Sequence, residues 1–363
     1  MLRHVIISDT HAPDIIKEIY TDLKEHVLKE FKADAIVING DLLGIFSMKE
    51  SSVHKNKTVT AKEKTRYLKL AAPNWYETYK DANHISKQAV IEYVKERYQW
   101  LNKTLKAFSE LAPTYWNMGN HESPHHFLVV EELPFLLDKT TPVIPDFELK
   151  KIFSQHEQAL AMLELTHKFT YLRNKVAIQQ DTLILAIPGE SHLAEGNSSL
   201  ARKQEAHTTT LIQEATTKLP KVKNLLIYNH TQGSYNKKKS LFTPASKRAK
   251  EFLTQLPTHL KHCAWIQSHN HWSYTQHLQE NNQHYILNNA GLHKAIYNLL
   301  EIDEELIVYD RDTQTQKTTK LRSSNQEVAE KQTLEIIKRT YPNYMDIYLH
   351  RKMISHSNQP IRK

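Results

Sequence analysis

The stretch Val5-Ile6-Ile7-Ser8-Asp9-Thr10-His11 joins a short apolar run directly to an aspartate and a histidine. Short runs with β-branched residues are typical of buried strands. The apolar residues of the next segment, 15–31, recur at helical spacing, which predicts a helix. Similar apolar runs lie at 35–38, 115–118, 182–187, 224–228, 264–267, 285–287 and 306–309. This order predicts an α/β protein with packed sheets and flanking helices.

The segment 46–112 interrupts this series of strands, because its sequence carries no strand pattern. Apolar residues at 85–108 follow helical spacing, and Pro73 ends an earlier helical stretch at 61–72. We interpret 46–112 as a helical insertion that either recognises substrate as a cap or covers the sheet with its aromatic residues. Further helices are predicted at 145–167 and 198–218, the latter capped by Ser198 or Ser199.

Composition restricts the possible classes of protein. A length of 363 residues suits one large domain or two smaller ones. The net charge of +8, from 48 basic and 40 acidic residues, favours anionic partners or reflects scattered surface lysines. The single cysteine, Cys263, excludes an intrachain disulfide and four-cysteine zinc sites. It lies in an apolar run, so we expect it in the core.

The amino terminus and the hydropathy pattern predict a protein that is cytoplasmic as synthesised. No signal peptide is visible before the first predicted strand. No apolar run reaches the length of about 18 residues that a transmembrane helix needs, so no membrane-spanning segment is expected.

Five polar blocks follow predicted strands. They are Ser8-Asp9-Thr10-His11, Asn39-Gly40-Asp41, Gly119-Asn120-His121-Glu122, Asn229-His230 and Ser268-His269-Asn270-His271. The carboxyl ends of parallel strands are where α/β sheets place ligands. Because the chain has 22 histidines, a lone His-x-His has little weight. Five blocks of suitable residues at five strand ends are a much more specific pattern.

The residue types of these blocks predict a site for two metal ions. Aspartate, asparagine and imidazole are ligands for ions of the Mn, Fe, Zn or Mg class. Two such ions, bridged by one carboxylate, clamp a phosphoryl group and convert a shared water to a hydroxide nucleophile. No covalent enzyme intermediate is needed. The expected ligands are Asp9, His11, Asp41, Asn120, His230, His269 and His271.

Taken together, the blocks resemble those of the calcineurin-like metallophosphoesterase superfamily over residues 1–310, which implies a fold of two packed mixed β-sheets flanked by helices in four layers. The resemblance implies that Asp9, His11, Asp41 and His271 hold one metal, and that Asp41, Asn120, His230 and His269 hold the other. It further implies that His121 is the general acid and that Asn120 also touches phosphate. The catalytic domain is then expected at 1–312, followed by a polar and helical extension at 313–363, with a helix near 325–339.

Gly-Asn-His-Glu at 119–122 resembles the phosphoprotein phosphatase branch, since nuclease branches more often have aspartate in place of Glu122. Other positions depart from that branch. Leu42 and Leu43 follow Asp41 where Asp-Arg is usual, and Met118 replaces an arginine. Ser8 and Ser268 replace glycines. Phosphate must therefore be bound from elsewhere, and the candidates are His192, Lys237, Lys238, Lys239, Arg66 and Arg97.

These features predict a metal-dependent phosphatase for phosphoserine and phosphothreonine in proteins, with two divalent ions, preferably manganese. A phosphotyrosine phosphatase, a nuclease or small-molecule phosphodiesterase, and a binding module with a degenerate site remain alternatives. Nucleic acid is the less favoured partner. The insertion beside such a core resembles the translocated bacterial effector phosphatases WipA and WipB, which implies secretion into a host cell.

Overall fold

Two mixed β-sheets form the centre of the fold. The computed structural model describes residues 1–45, 48, 58–122, 127–187, 198–230, 251–268, 276–280, 283–287 and 296–321. The strands are β1 (Leu2–Ile7), β2 (Ala35–Asn39), β3 (Thr114–Asn117), β4 (Phe169–Tyr171), β5 (Ala177–Gln179), β6 (Thr182–Ile187), β7 (Asn224–Asn229), β8 (His262–Gln267), β9 (Gln276–Glu280), β10 (Gln283–Leu287), β11 (Ile296–Ile302), β12 (Leu306–Asp312) and β13 (Lys317–Lys320).

The first sheet has the order β13-β12-β11-β1-β2-β3-β4, and the second has the order β5-β6-β7-β8-β10-β9. Strands β1 to β4 are parallel to one another, and so are β6, β7, β8 and β10. The remaining strands pair antiparallel at the sides. As a result, the carboxyl ends of β1, β2 and β3 lie at one edge, which gathers the loops that follow them.

Helices cover both outer faces. They are α1 (Pro13–Asp22), which runs through a π-helical segment (Leu23–Val27) into α2 (Leu28–Glu30), then α3 (Ala61–Ala71), α4 (Pro73–Tyr79), α5 (Lys87–Leu111), α6 (Leu133–Leu137), α7 (Asp146–Thr166) and α8 (Ser198–Lys218). A second π-helical segment (Phe127–Glu132) precedes α6, and 3-10 turns lie at Leu172–Asn174 and Leu219–Lys221. Thr60 and Glu63 form a capping box that begins α3. Pro73 begins α4 directly after α3 ends, as expected of a residue that cannot continue a helix.

Three apolar clusters hold the layers together. Between the sheets, side chains such as Ile6 and Val37 pack with Ile184 and Ile266 of the opposite sheet. The outer face of the first sheet packs against α1, α3 to α5 and α7. The outer face of the second sheet packs against α8 and includes the buried Cys263. The predicted α/β fold of two packed sheets between helices is therefore confirmed.

The insertion packs its aromatic side chains inward. Tyr67, Trp75, Tyr93 and Tyr98 are all buried in the cluster that covers the first sheet. The indole of Trp75 donates a hydrogen bond to the carbonyl of Ala89 at 2.7 Å, which joins α4 to α5. In the described residues, the insertion is a helical cover on the sheet.

Several strands have no counterpart among the predicted ones. In β11, the polar Asn298 interrupts the apolar run, and its buried amide donates to Asp310 at 2.6 Å. Strand β13 has four exposed residues and pairs with β12 at the sheet edge, so it lacks an apolar pattern. The segment from 313, read as polar and helical, thus contains a strand, while the helix predicted near 325–339 lies outside the described residues. Among the described helices, none combines the length and the apolar character needed to cross a bilayer.

Candidate metal centre

Side chains from four strand ends meet at one edge of the first sheet. Asp9 and His11 follow β1, Asp41 follows β2, Asn120 and His121 follow β3, and His230 follows β7 of the second sheet. The N–H of Asp9 donates to the carbonyl of Gly40, and that of His11 donates to the carbonyl of Asp41, both at 3.1 Å. These bonds join the loop after β1 to the loop after β2. As a result, the side chains of Asp9, His11 and Asp41 lie close together.

The donor atoms form two overlapping groups. Asp9, Asp41 and His230 make one, His11, Asp41 and His121 make the other, and within each group all donor atoms lie within 4.8 Å of one another. Asp41 belongs to both, as a bridging carboxylate must. Its Oδ2 atom is 2.9 Å from Nε2 of His230 and 3.6 Å from Nε2 of His11. Buried carboxylate and imidazole groups in this arrangement fit divalent ions of the Mn, Fe or Zn class.

The backbone that carries these ligands is in an uncommon conformation. Asp9, His11 and Asp41 have φ angles of 50°, 48° and 55°, in the left-handed region. Non-glycine residues rarely adopt this region, and such strain concentrates at functional sites. Since the three residues are also the expected ligands, the strain lies in the loops that would bind the ions.

Glycines make room for the ligands. Gly40 and Gly44 have φ angles of 83° and 105°, and Gly119 lies against the carboxylate of Asp41. A Cβ on Gly40 would lie 2.6 Å from Cα of Gly119, and one on Gly119 would lie 2.8 Å from Oε2 of Glu122. Each of these three glycines, which are the ones in the part of the chain that the structure describes, therefore occupies a position where a side chain does not fit.

Main-chain carbonyls orient two of the imidazoles. Nδ1 of His230 lies 2.7 Å from the carbonyl of Asn39, and Nδ1 of His11 lies 2.9 Å from that of Leu43. A carbonyl only accepts, so each Nδ1 carries the hydrogen and donates. Nε2 of each ring then faces Asp41, which is the orientation that metal-binding histidines commonly have.

Charge is concentrated in this buried region. Burial opposes protonation of His230, but Asp41 and Asp9 outweigh burial and raise its pKa to about 10. For His11, burial prevails and the pKa is lowered. The carboxylates of Asp41 and Asp9 therefore favour positive charge at this position, which is the kind of charge that a bound cation would supply.

Glu122 organises the loops around the ligands. Its Oε2 atom accepts from the N–H groups of Asp41 (2.9 Å) and Gly119 (2.8 Å), and Oε1 accepts from that of Leu43 (2.9 Å). Burial and the nearby Asp41 raise the pKa of Glu122 to about 7. The sequence suggested Glu122 as a marker of substrate class. In the structure its carboxylate is fully buried and joins the second loop to the third.

A polar network behind the ligands was not predicted. The amide of Asn117 donates to Oδ1 of Asn39 at 2.8 Å, and Ser268 donates from Oγ to the carbonyl of Asn39 at 3.0 Å. Because Asn39 belongs to the first sheet and Ser268 follows β8 of the second, the network crosses between the sheets and supports His230. A sequence signal existed, since each residue is a polar group at the end of an apolar strand.

The phosphate-binding candidates fare differently. The prediction that Arg97 binds phosphate is wrong, because its guanidinium is fully buried and bonds to Glu132 at 2.7 Å. Arg66 is exposed, pairs with Asp14 at 3.2 Å, and borders a groove of about 1150 Å³ beside α1 and α3. The following predicted site residues lie outside the described ranges: His192, Lys237, Lys238, Lys239, His269 and His271.

Comparisons with known proteins identify the family of this site. Residues 2–273 match the family described as calcineurin-like phosphoesterase. No curated protein sequence matches the chain significantly.

Similar solved structures include GAP50, the anchor in the inner membrane complex of Plasmodium (9% identity, TM-score 0.42, 89% of each chain covered). They also include a dimetal phosphatase from Danio rerio (10%, 0.41, 89% of this chain and 99% of that one). A third is the sulfate thiohydrolase SoxB of Thermus thermophilus (8%, 0.40, 95% and 61%). Similarities at this level do not bear on activity.

Proposed function

The chain belongs to the calcineurin-like phosphoesterase family, and from this premise we propose that it is a two-metal protein phosphatase for phosphoserine and phosphothreonine. Metal-dependent phosphoester hydrolysis is the activity of the family. The observation that carries the two-metal part of the proposal is the placement of Asp41, whose carboxylate belongs to both groups of donor atoms.

The ligand residues have different roles in the proposed site. Divalent ions, when bound, supply Lewis-acid activation of the phosphate ester and of water. Asp9 and His11 would hold one ion, His230 would hold the other, and Asp41 would contribute to both. Asn120 places its Oδ1 3.0 Å from Nε2 of His230, so it would join the same ligand set. The proposed ligands His269 and His271 complete the set by family resemblance.

His121 is the proposed proton donor to the leaving oxygen. Its ring meets that of His11 edge-on at 4.6 Å, and its Nε2 atom lies 4.0 Å from Oδ2 of Asp41. Its side chain is 8% exposed, whereas those of His11 and His230 are fully buried. A histidine beside the ligands that keeps slight solvent exposure is suited to give a proton to a departing alkoxide.

The choice of substrate rests on the Gly-Asn-His-Glu block and its resemblance to phosphoprotein phosphatases. His192 and Lys237 are the proposed contacts for the phosphorylated segment. The effector role rests on resemblance alone, and a translocation reporter fused to the full chain tests it: a reporter retained in the bacterium contradicts that role.

The main test is a panel of matched phosphoserine, phosphothreonine and phosphotyrosine peptides, assayed with Mn²⁺ beside bis-p-nitrophenyl phosphate. We expect phosphoserine and phosphothreonine peptides to be hydrolysed fastest, and Asp41→Asn to abolish the activity. Efficient hydrolysis of the diester with inert phosphopeptides would refute a protein phosphatase. Preference for the phosphotyrosine peptide would reassign the substrate on the same site.

A further inference from the structure

Two tyrosine hydroxyls of the insertion reach the main chain of the metal loops. Tyr67 of α3 donates to the carbonyl of Gly44 at 2.5 Å, in the loop that carries Asp41. Tyr98 of α5 donates to the carbonyl of Glu122 at 2.9 Å, in the loop that carries His121. Both tyrosines are buried, so each bond is shielded from water.

The first of these bonds acts on a turn that touches two histidines. Leu43 accepts the Nδ1 hydrogen of His11 on its carbonyl, and its N–H donates to Glu122. The next residue, Gly44, packs so closely on His121 that an added Cβ would overlap Nδ1 of that ring. A shift of Gly44 would therefore displace His121 and, through Leu43, would rotate His11.

Tyr67 is itself held by a buried ion pair. Arg97 donates from Nη2 to the hydroxyl of Tyr67 at 3.0 Å and from Nε to Glu132 at 2.7 Å. Glu132 also accepts from Tyr93, and it lies 3.3 Å from the Tyr67 hydroxyl. Burial raises the pKa of Tyr67 well above its usual value, so the hydroxyl keeps its proton and remains a donor.

We propose that Tyr67 and Tyr98 are positioning residues, through which the insertion fixes the ligand His11 and the proton donor His121. This inference rests on the proposed two-metal function and assigns the insertion a part in it. A merely structural role predicts only lower stability. Positioning predicts altered metal coordination and slower turnover, because partners outside the coordination sphere orient the ligands themselves.

The test uses the full chain with Tyr67→Phe and Tyr98→Phe, each of which removes one hydroxyl. Tyr79→Phe is the matched control, since the Tyr79 hydroxyl donates to Glu92 at 2.7 Å within the insertion and away from the loops. Co²⁺ titration followed by visible absorption gives affinity and ligand geometry. Turnover of p-nitrophenyl phosphate with Mn²⁺ gives kcat and KM separately.

We expect each site variant to bind Co²⁺ about tenfold more weakly, with shifted d–d bands, and to lose about tenfold in kcat at unchanged KM. The control should match the wild type. Wild-type affinity, spectrum and kcat in both site variants would overturn the inference, even with lower melting temperatures. If Tyr67→Phe does not fold, Tyr98→Phe decides alone. A wild-type chain that binds no Co²⁺ would instead refute the proposed function.

Discussion

The carboxylate of Glu122 accepts a hydrogen bond from the backbone N–H of Asp41 at 2.9 Å, which places two buried acidic groups side by side. Their mutual repulsion contributes to the raised pKa of Glu122. Like charges at such proximity are costly unless a cation or a proton intervenes. The structure thus favours binding of positive charge on the other side of Asp41, where the imidazoles lie.

Asp41→Asn should remove the bridge while leaving the fold intact. The amide can still accept from the N–H of His121, which now bonds to Oδ1 at 3.0 Å. Loss of a ligand should cost more than the 10- to 100-fold typical of its supporting partners, so we expect kcat to fall at least about 100-fold. Metal content by mass spectrometry should fall below that of Asp81→Asn, an exposed aspartate of the insertion. Undiminished turnover would contradict the bridging role.

Gly119→Ala should destroy the site by steric overlap. The new methyl group would occupy the space of Asp41 Oδ1 and would lie 2.8 Å from Oε2 of Glu122. Both groups must move, so bound Mn²⁺ and phosphatase activity should be lost, whereas the far-UV circular dichroism should stay near native. Normal metal content in this variant would show that the loops have more freedom than the structure gives them.

Glu122 variants separate loop organisation from substrate choice. In Glu122→Asp the carboxylate is too short to serve three N–H groups, and each unpaired buried donor costs about 1–3 kcal/mol. We expect a loss of about 3 kcal/mol in the free energy of unfolding, measured with urea. Glu122→Gln keeps the reach, but its amide nitrogen cannot accept, so one of the three N–H groups loses its acceptor and the loss should be smaller than in Glu122→Asp. A changed peptide preference at unchanged stability would instead support a specificity role.

The Arg97–Glu132 pair should be costly to break from one side. Arg97→Met leaves the Glu132 carboxylate buried without its ion partner, which should destabilise the chain by about 3–5 kcal/mol. Arg97→Met combined with Glu132→Leu should cost less than the single change, because no buried charge remains. Lys80→Met, which breaks an exposed pair with Glu77, should leave urea unfolding unchanged. An equally large loss in the double variant would argue against a charge effect.

Acid should destabilise the protein through two buried histidines. Burial lowers the pKa of His156 to about 3 and that of His4 to about 4. Below pH 6.5 the unfolded chain binds protons that the folded chain does not, so stability falls as pH decreases toward these values. At pH 5 each histidine should cost about 2 kcal/mol relative to pH 7.5.

The free energy of unfolding, measured with urea at pH 5 and at pH 7.5, tests this predicted loss of stability. His156→Gln should remove about 2 kcal/mol of the acid effect, whereas the same change at the exposed His84 should not alter it. An unchanged acid dependence in His156→Gln would assign the effect to other groups.

The sequence predicted what depends on apolar runs and on residue type. Every predicted strand is present, and the polar blocks at 8–11, 39–41, 119–122 and 229–230 do converge. The prediction that Arg97 binds phosphate was wrong because the sequence does not distinguish an arginine at the surface from one in a buried ion pair. The bonds from Tyr67 and Tyr98 were not foreseeable, since a side chain that donates to a distant main-chain carbonyl leaves no pattern.

The position of the site between the sheets has a consequence for folding. Asp41 follows a strand of the first sheet and His230 follows one of the second, and the two segments are far apart in the chain. An ion held by both would act as a reversible cross-link that closes a long loop. Such a cross-link forms only after the sheets have docked, so metal capture would be a late step in folding and would slow the separation of the sheets.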